Sequence, residues 1–234
     1  MASRILVPLD GSSLAEQALS CAVTLGRGLA AELMLFCAVS IPAGARKCLD
    51  GDAMKEGDLM ERLDAEAGEY LHEVADRVRL AGLNVQPVVR HGPAPEAIVD
   101  FAEQMDIWLI IMATHGYGGI KRWTHGSVAE RVLKSASVPV LLVRAEEEDS
   151  RALPESSPCR RILVPLDGSK VAEQVLPAVT PIASALGCEL TLLQVLVART
   201  IGSFAGEWYM PLDGAIESAD QDAHAYLERL AGDL

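Results

Sequence analysis

The sequence predicts a parallel, doubly wound α/β sheet. Short apolar runs of strand length, such as Ile5–Leu9 and Ile107–Met112, alternate with segments whose apolar residues recur at helical spacing. The runs are apolar throughout, as strands buried on both faces are. Half of the 234 residues are hydrophobic and only 4% are aromatic, so Ala, Leu and Val carry the core. That length suits one large domain or two small ones.

Taken in order, Ile5–Leu9 is the first strand, and Asp10-Gly11-Ser12 breaks it. Ser12 or Ser13 then caps a helix over Leu14–Leu29. Leu33–Val39 is the second strand, and Pro42–Gly57, with three glycines and mixed charge, is a loop. Leu63, Ala67, Leu71, Val74 and Val78 mark a second helix that starts near Leu59, with Gly82 as its C-cap. Val85–Val89 is a third strand, and Pro95 opens a helix running to Glu103, at a position where a first turn tolerates proline. Ile107–Met112, Ser127–Lys134 and Val138–Val143 complete the pattern as strand, helix and strand.

Ala145–Pro158 is acidic, carries two prolines and has no apolar period, which marks a linker. The pattern then restarts. RILVPLDGS occurs at Arg4–Ser12 and again at Arg161–Ser169. A shift of 157 also lays Ala15-Glu16-Gln17 on Ala172-Glu173-Gln174 and Glu32-Leu33 on Glu189-Leu190. Tyr70-Leu71 has its match in Tyr226-Leu227, so the expectation is a duplicated domain whose second copy, over 160–234, is incomplete and stops around its second helix.

A net charge of −13 with no basic stripe argues against a nucleic-acid-binding face. The five cysteines include no C-x-x-C pair, so a reduced interior is expected in place of a disulfide or zinc framework. Arg4 leads straight into a strand, and no apolar run is long enough to span a bilayer; a cytoplasmic protein without a membrane partner is the expectation.

In a parallel α/β sheet the loops at the carboxyl ends of the strands line the ligand crevice. Here those are Pro8-Leu9-Asp10, the residues around Ala38, and Met112–Ser127, which reads MATHGYGGIKRWTHGS. Gly116, Gly118 and Gly119 allow close backbone approach, and the free N–H groups of Gly126, Ser127 and Val128 suit an anion at a helix start. The carboxylate of Asp10 suits a ribose hydroxyl or a divalent ion. The same residues also suit a plain turn with Ser127 as its cap. Ser127 is a poor hydrolase nucleophile, since no second glycine completes an elbow, and there is no Walker A loop. His115, His125, Lys121 and Arg122 read as solvent-facing loop residues.

This last segment resembles the signature of the universal stress protein family: G-x-x-G, nine residues, then G-S/T. Gly116, Tyr117 to His125 and Gly126-Ser127 fit it, while Ala113 stands where the signature begins with glycine. Gly92–Ile98 and Ser137–Val140 resemble the family's third-helix entry and last-strand entry, and the likeness covers 1–144 and the opening of a second copy. The resemblance implies a Rossmann-like five-stranded sheet in order 3-2-1-4-5. It implies ATP, usually with Mg²⁺, with adenine at Ala38, ribose at Asp10 and Ala113, and phosphates on Gly116, Gly126, Ser127 and Val128. Pro8, Leu9 and Met112 complete the expected site. It also implies a stress-responsive binding module and a homodimer. The alternatives are a slow ATPase that phosphorylates itself at Ser127 or Thr114, and a member that works by protein contacts alone.

Overall fold

The computed structural model describes residues 3–41, 56–114, 127–144, 159–196 and 212–234. The chain divides into two compact units, Met1–Ser157 and Pro158–Leu234. In the first, the elements are β1 (Arg4–Pro8), α1 (Ser13–Glu16), α2 (Ala18–Leu29), β2 (Glu32–Val39), α3 (Glu56–Arg79), β3 (Val85–His91), α4 (Ala94–Gln104), β4 (Leu109–Thr114), α5 (Ser127–Ser135) and β5 (Val140–Arg144). The strands form one parallel sheet in order β3-β2-β1-β4-β5, the order that the family resemblance implies.

β1 is central, and its Ile5, Leu6 and Val7 are completely buried. Strand alternation divides the core between two faces. Leu6, Met34, Phe36, Ile110 and Met112 pack with Ile98, Phe101 and Ala102 of α4 and with Ala129 and Val132 of α5. Ile5, Val7, Leu33, Leu35 and Ile111, of the opposite parity, are buried on the other face, where α2 contacts β1 and β4 and α3 contacts β2 and β3. Pro87 lies within β3, which is an edge strand and therefore tolerates a residue with no N–H to donate.

The helix expected over Leu14–Leu29 is two segments. Gln17 N–H bonds Leu14 O at 3.2 Å, a tightened turn, and Ser20 Oγ donates to the Gln17 carbonyl at 3.1 Å. β4 begins two residues later than the apolar run. Asp106 takes a left-handed φ of 50° and Ile107 N–H turns back to Ala102 O at 3.1 Å, so Ile107 closes α4 before the chain enters the sheet. β5 begins after Pro139, which has no N–H for the ladder but whose carbonyl accepts from Ile110 at 3.0 Å.

The second unit holds β6 (Arg161–Leu166), α6 (Lys170–Glu173), α7 (Leu176–Leu186), β7 (Glu189–Gln194) and α8 (Leu212–Gly232). β6 and β7 are parallel, with Arg161 opposite Glu189, as Arg4 is opposite Glu32 in the first sheet. The break after α1 recurs after α6, where Gln174 N–H bonds Val171 O at 3.2 Å. Val164, Leu166, Leu176 and Leu230 form its core. Among the described residues, no helix is long and apolar enough to cross a membrane.

Candidate functional site

β1, β2 and β4 end on the same side of the first sheet, and the chain that leaves β1 turns at once into α1. Asp10 organises that turn: its Oδ1 accepts from Ser12 N–H at 3.0 Å and from Ser12 Oγ at 2.6 Å. Ser12 in turn caps α1, its Oγ accepting from Ala15 N–H at 3.1 Å, with the extended backbone (φ −81°, ψ 145°) that an N-cap requires. One Asp10 carboxylate oxygen is thereby committed to its own turn.

Behind the turn is a cavity of about 260 Å³. Pro8, Leu9, Asp10, Ala38, Met112, Ala113 and Val128 all line it. Seven of the ten expected site residues, drawn from three strand ends and one helix start, thus meet at one place. Ser127 is the first residue of α5, so the free amides of that helix lie at the cavity, where its dipole favours an anion. Gly116 and Gly126 lie outside the described residues, as do His115, His125, Lys121 and Arg122.

The walls that sequence reasoning missed are Leu14, Ala15, Phe36, Ala94, Ile98 and Ala129. Phe36 was legible in principle, because it stands two residues before Ala38 and so shares its face. Its ring lies 5.2 Å from that of Phe101, and Arg90 stacks over Phe101 at 5.2 Å. These walls are apolar, and among the described residues Asp10 is the one carboxylate at the cavity.

A second cavity, of about 380 Å³, opens on the other side of the β2 end, between Cys37, Ser40, Glu66 and Tyr70, and shares Asp10 and Ala38 with the first. Burial raises the Cys37 thiol above its usual range, and the charge of Asp10 adds to the shift. Tyr70 donates to Glu16 Oε1 at 3.2 Å, and Arg77 Nη2 holds the other Glu16 oxygen at 2.6 Å. Burial first, and then the Glu16 carboxylate, push the Tyr70 phenol far above the ordinary tyrosine value.

The sheet order, the strand ends and the glycine-rich sequence that follows β4 all point to one family, and its sequence model, described as universal stress protein family, matches residues 1–144. This chain belongs to the universal stress protein family. Universal stress protein MJ0531 of Methanocaldococcus jannaschii is 30% identical over 146 residues, covering 62% of this chain and 84% of that protein. Universal stress protein YxiE of Bacillus subtilis is 24% identical over 148 residues and is covered completely. Among solved structures, that of the hypothetical protein MJ0577 matches 63% of this chain and 99% of its own, at 29% identity and a TM-score of 0.53. A universal stress protein from Archaeoglobus fulgidus matches 95% of this chain and 74% of its own with a TM-score of 0.64; at 20% identity that likeness is one of fold.

Proposed function

We propose that the first unit binds ATP in the cavity at the ends of β1, β2 and β4, and that nucleotide occupancy is the signal this stress protein carries. One observation supports this reading above the rest: Pro8, Leu9, Asp10, Ala38, Met112, Ala113 and Val128, distant in sequence, line one cavity beside a helix N-terminus. Adenine would lie against the backbone of Ala38 over the apolar floor made by Phe36 and Met112. The Asp10 oxygen not engaged by Ser12 would take a ribose hydroxyl. The phosphates would run to Gly116, Gly126, Ser127 and Val128.

Mg²⁺ fits this site only as an ion carried by the phosphates. Among the described residues no cluster of three or more acidic, His or Cys side chains exists, and Asp10 has one oxygen already bonded. A phosphate-held Mg²⁺ needs only one or two carboxylates from the protein. The proposal extends to the chain as a whole: 1–144 is the nucleotide domain, 145–159 an acidic linker, and 160–234 a second copy of the opening half. Its place is the cytoplasm, and its natural state is a homodimer.

The test is mass spectrometry of nucleotide released when the purified chain is denatured, together with equilibrium titration of ATP. An adenine nucleotide at one per chain is expected. A chain that releases none and shows no ATP binding in titration overturns the reading.

A further inference from the structure

We propose that Cys159 and Cys188 form a reversible disulfide that staples β6 to β7, with a low-molecular-weight disulfide as the oxidant. Cys159 lies two residues before β6 and Cys188 directly before β7. The offset of 157 that aligns the two units places Ala2 and Ala31 at these positions in the first unit. The thiol pair is therefore a feature of the second unit, introduced at two positions that the parallel strands bring together.

The strand ends are held close, since Glu189 N–H donates to Arg160 O at 3.0 Å. Cys188 Sγ donates to the Cys159 carbonyl at 3.3 Å, and Cys159 Sγ reaches Arg161 O at 3.7 Å. The Cys188 sulfur thus rests against the Cys159 residue itself. Cys159 and Cys188 both lie just outside the ladder, where strand alternation does not fix the side-chain directions. Parallel strands about 4.8 Å apart with a rise of about 3.3 Å leave Cα atoms one step apart at about 6 Å, inside the span a disulfide bridges. Both residues are half-buried, so a small thiol or disulfide can reach the pair.

The two sulfurs differ in role. Burial, with the Cys159 thiol next in importance, raises the Cys188 pKa to about 11 and keeps it protonated. Cys159 is then the attacking sulfur. As its thiolate it opens the oxidant RSSR, forming a mixed disulfide and releasing RS⁻. Cys188 loses its proton, displaces the second RS⁻, and the Cys159–Cys188 bond forms. Two thiol protons and two electrons have passed to RSSR, giving two RSH. Excess RSH runs the same exchange backwards.

The bond closes a loop between residues 29 apart in sequence that contains β6, α6 and α7 and ends directly before β7. Cross-linking such a loop restricts the unfolded chain and so steadies the folded one.

The experiment uses the full chain in glutathione redox buffers, trapped by alkylation and mapped by mass spectrometry, with limited proteolysis on the same samples. The expected result is one intramolecular Cys159–Cys188 bond, reversed by reduced glutathione, with cleavage inside Pro158–Leu234 slowed at least about fivefold. Cys159→Ala and Cys188→Ala install the alanines of the first unit and should lose both effects. The proposal is overturned if both thiols are alkylated in the fully oxidised sample, or if the bond joins other cysteines or two chains. Unchanged cleavage in the presence of the bond overturns the staple.

Discussion

Ala113 follows the buried part of β4, opposite Val143 in the register, and lines the cavity where the family signature has a glycine. Its methyl is a side-chain group at a position where the signature has none. Ala113→Gly should therefore tighten ATP binding about threefold to tenfold, up to roughly 1.4 kcal/mol, as read by calorimetric titration. Gly126→Glu should do the reverse by placing a carboxylate where phosphate oxygens would lie: affinity falls at least about tenfold, roughly 1.4 kcal/mol, while far-ultraviolet circular dichroism is unchanged. Equal affinities across these variants would reduce the glycine-rich segment to a turn. Tyr70 gives a third residue-level expectation. Its folded pKa is raised above the unfolded value of about 10, so the neutral phenol's bond to Glu16 contributes fully below that pH and is lost as pH rises through the folded value. Tyr70→Phe should cost about 1 kcal/mol near neutral pH. That gap should close above about pH 10 in denaturant titrations. A gap that stays constant into strong alkali would contradict the assignment.

At the scale of elements, the two copies of Asp-Gly-Ser offer a controlled comparison. Ser12 caps α1 and Ser169 caps α6 with the same 3.1 Å bond, and Asp167 Oδ1 accepts from Ser169 N–H at 2.9 Å, as Asp10 does from Ser12. Ser12→Ala and Ser169→Ala should each cost about 1 kcal/mol. Thermal melts followed by hydrogen exchange should place each loss in its own unit, and a loss shared by both units would refute local capping. The first cap was legible as Ser12 or Ser13, because a serine after a strand-breaking Asp-Gly suits an N-cap, and the structure selects Ser12 and its repeat Ser169. The strands were legible because Ile5–Leu9 and its like are apolar on both faces. Less legible were the exact ends. Asp106 adopts a left-handed turn without being glycine, and Gln17 bends a helix whose apolar period continues through it. At the site, motif residues marked the rim, and parity with Ala38 reaches as far as Phe36. The rest of the floor, Ile98 and Ala129, was hidden, because a residue that lines a cavity and a residue that fills a core carry the same apolar side chain.

For the whole molecule, the balance of burial differs between the units. In the first, Leu6 and Phe36 are 0% exposed beneath α4 and α5, whereas their counterparts Leu163 and Leu193 in the second are 56% and 39% exposed. Among the described residues, the first sheet has five strands and the second has two, and no hydrophobic side chain of the second unit is completely buried. A two-stranded sheet is marginal unless a helix packs on it, and among the described residues α6, α7 and α8 supply that cover. The chain divides into two compact units joined in sequence by an acidic stretch, and two such units need not unfold as one. Denaturant unfolding followed by hydrogen exchange and mass spectrometry should therefore resolve two transitions, with Pro158–Leu234 opening first. ATP stabilises only the unit that binds it, so at a hundredfold excess over its dissociation constant it should raise the later transition by about 2.7 kcal/mol and leave the earlier one in place. One coincident transition for all peptides would show that the second unit draws its stability from the first. A shift of both transitions by ATP would show that the nucleotide acts on both units.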